Sequence, residues 1–126
     1  MERQLTVAVL GASTNREKYG NKAVRAYRQA GYKVFPVNPR ADVIEGIKCY
    51  PSLLAIPETL DRVSVYLPPA LGVTALDEIA KKGVKELYIN PGAESDDLVS
   101  KAKSLGLEPI LACSIVEIGM SPGEFE

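Results

Sequence analysis

The stretch Val7-Ala8-Val9-Leu10-Gly11-Ala12-Ser13 decides the fold class of this 126-residue chain. Its four consecutive apolar residues are typical of a strand that is buried on both faces of a parallel sheet. The strand leads directly into a glycine-containing turn. A second apolar strand, Tyr32–Val37, follows after one helical segment. We therefore predict that the chain begins with a parallel βαβ unit.

The rest of the chain continues the alternation of strands and helices. Helical spacing of apolar residues predicts helices at Asn21–Ala30, Leu71–Lys82 and Ser95–Leu105, and a short one at Pro51–Ala55. The predicted strands, in chain order, are Leu5–Leu10, Tyr32–Val37, Arg62–Leu67, Lys85–Ile89 and Leu107–Ala112. Right-handed crossovers then favour a Rossmann-like, doubly wound α/β fold, with helices on both faces of a mostly parallel five-stranded sheet of order 3-2-1-4-5. We expect residues 1–126 to form one domain.

The composition excludes most kinds of catalytic site. The chain contains no histidine, which rules out a Ser-His-Asp triad, a Cys-His pair, a phosphohistidine and a histidine-containing metal site. Its two cysteines, Cys49 and Cys113, make no disulfide framework, so we expect a reducing, cytoplasmic environment. A net charge of −1 and the lack of a long apolar run give no reason to expect nucleic acid or a membrane as a partner.

An internal repeat predicts where a ligand would bind. Gly31–Pro39 and Gly83–Pro91 match at their glycine, lysine, asparagine and proline positions. The same count into the fifth strand reaches Cys113, so Asn38, Asn90 and Cys113 should follow three strands at one edge of the sheet. Ligands of open α/β sheets bind outside the carboxyl ends of the strands. We expect the site at this edge, near the switch between the first and fourth strands.

Residues at this edge are suited to a phosphorylated nucleotide. The amides and hydroxyls of Gly11–Thr14 precede a helix and could hold an anion. Lys18, at the helix entrance, either reaches a phosphate or is solvated. Arg40 stands where NAD-binding proteins carry an acidic residue, so it either favours a ligand with an extra phosphate, coenzyme A (CoA) or NADP, or is a surface charge. Pro68-Pro69 either leads into a helix or forms a flat wall for an adenine ring.

Together these motifs resemble the small, stand-alone CoA-binding proteins, which are similar to the N-terminal domain of the succinyl-CoA synthetase α subunit. The resemblance covers nearly the whole chain and includes Val7–Ser13, Lys18–Asn21, Pro36–Pro39, Tyr50–Leu53, Pro68-Pro69, Asn90–Glu94 and Cys113. The site residues it implies are Gly11, Ala12, Ser13, Thr14, Lys18, Asn21, Asn38, Arg40, Pro68, Pro69, Asn90, Gly92 and Cys113.

The resemblance also implies a role for each part of this edge. Gly11–Thr14 would hold the diphosphate, with Lys18 and Asn21 close by. Arg40 would contact the ribose phosphate, and Pro68-Pro69 would border the adenine. Of the remaining residues, Asn90 and Gly92 would lie along the nucleotide or pantetheine arm, and Cys113 would lie near the thiol. The phosphohistidine of the synthetase lies in a second domain and has no counterpart in this sequence, so synthetase activity is not expected.

We therefore expect a module that binds CoA or acyl-CoA without catalysis, as a carrier, sensor or regulatory partner. A protein partner or a homo-oligomer is compatible with this role. Two alternatives stay open at this point. One is an NADP-dependent, oxidoreductase-type domain in which Arg40 recognises the 2′-phosphate. The other is a redox module in which Cys113 forms a mixed disulfide with the CoA thiol.

Overall fold

The structure, a computed structural model, describes residues 3–126. Its strands are β1 (Thr6–Leu10), β2 (Lys33–Val37), β3 (Val43–Ile44), β4 (Ile47–Lys48), β5 (Leu60–Val65), β6 (Val84–Ile89) and β7 (Pro109–Leu111). Its helices are α1 (Tyr19–Gln29), α2 (Pro69–Lys82), α3 (Asp96–Ser104) and α4 (Ser114–Glu117), with 3-10 turns at Leu53–Ala55 and Pro122–Phe125. No helix in this part of the chain is long and apolar enough to cross a membrane.

The main sheet confirms the predicted fold class but not the predicted strand order. Its five strands are all parallel and run β2-β1-β5-β6-β7, so β2 and β7 are the edges. In terms of the five predicted strands this order is 2-1-3-4-5, and the prediction of 3-2-1-4-5 was wrong. All six residues of β5 are buried, which requires neighbours on both sides. β5 therefore lies in the centre, beside β1, rather than at the edge next to β2.

Helices cover both faces of the sheet, as predicted. Because side chains alternate along a strand, Val7 and Val9 of β1 pack in the core under α1 and α4. Ala8 and Leu10 pack in the opposite core, beneath α2, α3 and the turn Leu53–Ala55. The connection from β2 to β5 therefore crosses the α2 face, and its 3-10 turn takes the place of the helix predicted at Pro51–Ala55.

Two parts of the chain contain structure that the sequence patterns did not predict. Between β2 and the 3-10 turn, β3 and β4 form a hairpin whose two turn residues, Glu45 and Gly46, have φ values of 51° and 75°. Positive φ at both positions is typical of the type I′ turns that match the twist of a hairpin. After β7, the chain forms α4 and then a 3-10 turn that buries Phe125 on the α1 face.

Candidate functional site

The topological switch of the sheet lies between β1 and β5. The chain moves outward from β1 to β2 in one direction and from β5 to β6 in the other, so the prediction of a switch between the first and fourth strands was wrong. A groove of about 1190 Å³ opens at the carboxyl ends of these strands. Its walls are the segments that follow β1, β2, β5 and β6, the segment Pro51–Leu53 and one side of α2. A volume of this order suits a nucleotide-sized ligand.

Two glycines allow the β1–α1 turn to approach its neighbours closely. Gly11 has a φ of 85°, and a Cβ atom there would lie 3.0 Å from the carbonyl group of Tyr66. A Cβ atom at Gly20 would lie only 2.1 Å from the carbonyl oxygen of Gly11. The first turn of α1 therefore rests directly on the turn that follows β1. Gly20 has the helix-packing role of the third glycine of a dinucleotide fingerprint, although the spacing differs.

The amino end of α1 presents free donors to the groove. Lys18 is its N-cap and makes no side-chain cap bond. Within residues 3–126, the backbone N–H groups of Tyr19 and Gly20 donate no hydrogen bond. Lys18, Tyr19 and Gly20 all line the groove. Because the helix dipole and these N–H groups favour negative charge, this end of the groove can bind a phosphate.

Asn38 holds the segments after β1 and β2 together. Its Nδ2 donates to the carbonyl oxygen of Ala12 at 2.8 Å, and its Oδ1 accepts from the N–H of Arg40 at 2.8 Å. Arg40 is exposed, lines the groove and makes no salt bridge among residues 3–126. The guanidinium is therefore free to bind an anion.

The other walls are mainly apolar. Pro68 is the N-cap of α2 and Pro69 its first residue, and both line the groove. Leu71, one turn further along, is 56% exposed. Gly92 follows β6 on a third side, where its N–H donates to the carboxylate of Glu94 at 3.0 Å. An apolar body with polar groups at its ends would fit this surface.

The structure brings nine of the predicted site residues together in the groove. They are Gly11, Ala12, Ser13, Lys18, Asn38, Arg40, Pro68, Pro69 and Gly92. Four others, Thr14, Asn21, Asn90 and Cys113, do not line it. Thr14 is exposed on the continuation of the same turn.

The two asparagines among these four support the site from beneath. Asn21 is completely buried, and its Nδ2 donates to the carbonyl oxygen of Ser13 at 2.9 Å and to Glu45 Oε2 at 3.1 Å. Asn90 is 1% exposed; its Nδ2 donates to Ser64 Oγ at 2.9 Å, and its Oδ1 accepts from the N–H of Ser114 at 2.8 Å. Both N–H donors of each amide are used within the fold. In this structure the two side chains position the turn after β1 and the segment after β6, and a direct contact of either with the ligand stays a prediction.

Neither cysteine lines the groove. Cys113 is half-buried, is the N-cap of α4 and packs against the core on the α1 face. Cys49 is buried beneath the segment after β2, with its Sγ 3.6 Å from the carbonyl oxygen of Asn38. Burial raises the pKa of the Cys49 thiol, so a smaller fraction of it is in the reactive thiolate form. The described residues contain no group of three or more side chains that could hold a metal ion.

Sequence reasoning missed several residues that line the groove, and Tyr66 and Leu67 show why. Both were assigned to the third strand, but β5 ends at Val65 and both residues line the groove. The hydroxyl of Tyr66 lies 3.3 Å from Ser114 Oγ, and burial raises its pKa. The proline pair that follows was the available signal, since proline cannot continue the ladder of a central strand.

Comparison with known families agrees with this geometry. A family model described as a CoA binding domain matches residues 5–119, which include the whole main sheet and the segments that form the groove. The chain belongs to this family. Among curated proteins, it is 38% identical over 94 residues to acetate–CoA ligase [ADP-forming] II of Archaeoglobus fulgidus. That match covers 73% of this chain but only 14% of the ligase.

A second ligase and two solved structures extend the comparison. The form I ligase of the same organism is 34% identical over 112 residues, which cover 81% of this chain and 16% of the ligase. A conserved hypothetical protein from Pyrococcus furiosus has a TM-score of 0.80 at 35% identity, covering 92% of this chain and 99% of its own. The dinucleotide-forming acetyl-coenzyme A synthetase 1 of Ca. Korarchaeum cryptofilum, solved with phosphate and ADP, has a TM-score of 0.75 at 31% identity, covering 85% of this chain and 25% of the synthetase. The likeness to succinyl-CoA synthetase stays a prediction.

Proposed function

We propose that this protein binds CoA or an acyl-CoA in the groove and acts as a binding, carrier or regulatory module without catalysis of its own. The observation that carries the proposal is Arg40, whose backbone N–H donates to Asn38 Oδ1 at the carboxyl end of β2 and whose guanidinium makes no salt bridge among residues 3–126. In this fold class the residue at that point faces the ribose of a bound nucleotide. A cation there favours a ribose that bears a phosphate, as CoA does, and Arg binds phosphate with two parallel hydrogen bonds.

The remaining features of the groove support a ligand with several phosphates and an apolar arm. Lys18 and the free N–H groups of α1 suit the diphosphate. The apolar wall of α2, with the exposed Leu71, suits an adenine or a pantetheine chain. Membership of the CoA-binding family supports the same ligand.

The proposed role is one of binding rather than turnover. The sequence has no histidine, which removes the commonest general base. The chain spans less than a fifth of the two ligases compared above, so ligase activity is not transferred to it. Because those relatives are much larger proteins, a protein partner that uses or supplies the bound CoA fits the role.

Titration calorimetry with CoA, dephospho-CoA, NADP and NAD tests the proposal. We expect CoA to bind most tightly. Arg40→Met should weaken CoA binding by about 5- to 30-fold, the loss of one or two charge-assisted hydrogen bonds at an exposed site. Its effect on dephospho-CoA should be small. Lys103→Met, which removes an exposed charge on α3 away from the groove, is the matched control.

Two results would contradict this assignment. Tighter binding of NADP than of CoA would favour the oxidoreductase-type alternative. An equal loss of CoA and dephospho-CoA affinity in Arg40→Met would show that the guanidinium does not recognise the ribose phosphate.

A further inference from the structure

One end of the groove, here called the slot, is lined by residues of α2 and by Leu53 at the start of the 3-10 turn Leu53–Ala55. Leu71, Ala75 and Glu78 follow one another at i, i+4 and i+7 along α2, so they share one face of the helix. All three line the groove, as does Leu53 on the opposite wall. The slot therefore has apolar walls and one carboxylate, and it suits a flat heteroaromatic ring with a polar hydrogen at its edge.

Glu78 is the only acidic residue that lines the groove within the described chain, where the other charged lining residues are Lys18 and Arg40. Its Oε1 accepts a hydrogen bond from the N–H of Leu54 at 3.4 Å. It makes no salt bridge among residues 3–126. Lys82, one turn further along α2, donates instead to the carbonyl oxygen of Ile56. A carboxylate offers about four acceptor positions, so Glu78 has acceptor capacity to spare.

The slot adjoins the segment that carries Arg40. The N–H of Tyr50 donates to the carbonyl oxygen of Pro36 at 2.9 Å, and the N–H of Asn38 donates to the carbonyl oxygen of Tyr50 at 3.0 Å. These bonds hold Tyr50 beside the end of β2, and Leu53 follows three residues later. A nucleoside whose ribose phosphate contacts Arg40 can therefore place its base in the slot.

We propose that Glu78 determines the base specificity of the site by accepting a hydrogen bond from the 6-amino group of a purine. The inference rests on the proposed function, because it requires a nucleotide in the groove. At position 6 an adenine base donates, whereas a 6-oxo purine presents an oxygen that the carboxylate repels; the donor of a 6-oxo purine is the adjacent N1–H, which reaches Glu78 only if the base shifts. The site should therefore prefer adenine nucleotides to hypoxanthine nucleotides.

The experiment compares ADP with inosine diphosphate, since these two ligands differ only at the base. Binding is followed by two-dimensional NMR titration, which measures weak affinities, and CoA is titrated in parallel. We expect the wild-type protein to prefer ADP by about 5- to 10-fold, the value of one hydrogen bond to a charged acceptor at a partly exposed site. In Glu78→Gln the amide can accept from Leu54 and donate to a 6-oxo group. This variant should lose the preference for ADP or reverse it.

The control is Glu108→Gln, the same change at an exposed position outside the groove, and it should keep the wild-type preference. A Glu78 that only caps the 3-10 turn would alter stability without altering base preference, so an unchanged preference in Glu78→Gln overturns the inference. CoA binding without measurable binding of either diphosphate also overturns it. Absence of CoA binding with an intact ADP preference would overturn the proposed function alone, and absence of all binding would overturn both.

Discussion

Replacing Gly20 with alanine tests whether α1 must rest on the turn after β1. The added Cβ atom would lie 2.1 Å from the carbonyl oxygen of Gly11. To reach even 3.0 Å, the closest approach that such atoms show, α1 or the turn would have to move by about 0.9 Å. Overpacking of this kind costs about 1–3 kcal/mol, and the higher helix propensity of alanine returns up to about 1 kcal/mol.

We therefore expect Gly20→Ala to lower the free energy of unfolding by about 1–2 kcal/mol. The corresponding fall in Tm is roughly 3–10 °C for a chain of this size. CoA affinity should fall as well, because the N–H groups at the amino end of α1 move with the helix. Urea unfolding and titration calorimetry measure the two effects.

Gly72→Ala is the matched control for this variant. Gly72 is also helical, but its added Cβ atom would meet the Cδ1 methyl of Leu98 at 2.8 Å, and a side-chain end can rotate away. We expect this variant to be between neutral and about 1 kcal/mol more stable than the wild type. If Gly20→Ala is as stable as Gly72→Ala and binds CoA as the wild type does, neither stability nor CoA binding requires the close approach of α1 to the turn.

Two further variants test the buried polar contacts of Asp61 and Asn21. Hydrogen bonds from Arg3 and from Thr6 hold the pKa of the Asp61 carboxyl well below its ordinary value. Asp61→Asn should therefore cost about 1–3 kcal/mol of stability at pH 7. A lowered pKa contributes its full stability above the unfolded value of about 4 and loses it as the pH falls from there toward the folded value. Urea unfolding should therefore show the stability difference between wild type and variant shrinking below pH 4, and a constant difference would refute the assignment. Asn21→Ala removes the bonds to Ser13 and Glu45 and should cost about 2–3 kcal/mol together with CoA affinity; calorimetry showing wild-type affinity would mean that the turn needs no such support.

Local signals in the sequence were sufficient for the fold class and for much of the site. The apolar run Val7–Leu10 predicted a buried parallel strand that leads into the turn at Gly11. Ser95, at the start of the predicted third long helix, is the N-cap of α3, where its Oγ accepts from the N–H of Leu98. The repeat correctly placed Asn38 and Asn90 after the carboxyl ends of β2 and β6. These features depend on residues close in the chain, and a pattern of that range can be recognised without coordinates.

Features that depend on distant partners could not be predicted in this way. The position of β5 follows from burial on both faces, but its sequence includes Asp61, Arg62 and Ser64, which conceal that burial. Each has a partner far along the chain: Asp61 bonds to Arg3, Arg62 to Glu86 and Ser64 to Ser114. The partners of Asn21 and Asn90 could not be predicted either. The sequence does not distinguish an asparagine whose amide binds a ligand from one whose amide bonds to other residues of the fold.

The prolines in the two edge strands limit how this protein can associate. Pro36 in β2 has no N–H group, and its carbonyl oxygen already accepts from Tyr50. Pro109, the first residue of β7, likewise cannot donate to an incoming strand. Edge strands with free donors are templates for uncontrolled strand addition, and proline is one of the residues that prevents it. The two prolines therefore disfavour strand addition at both edges, which helps to keep the sheet from growing into fibres.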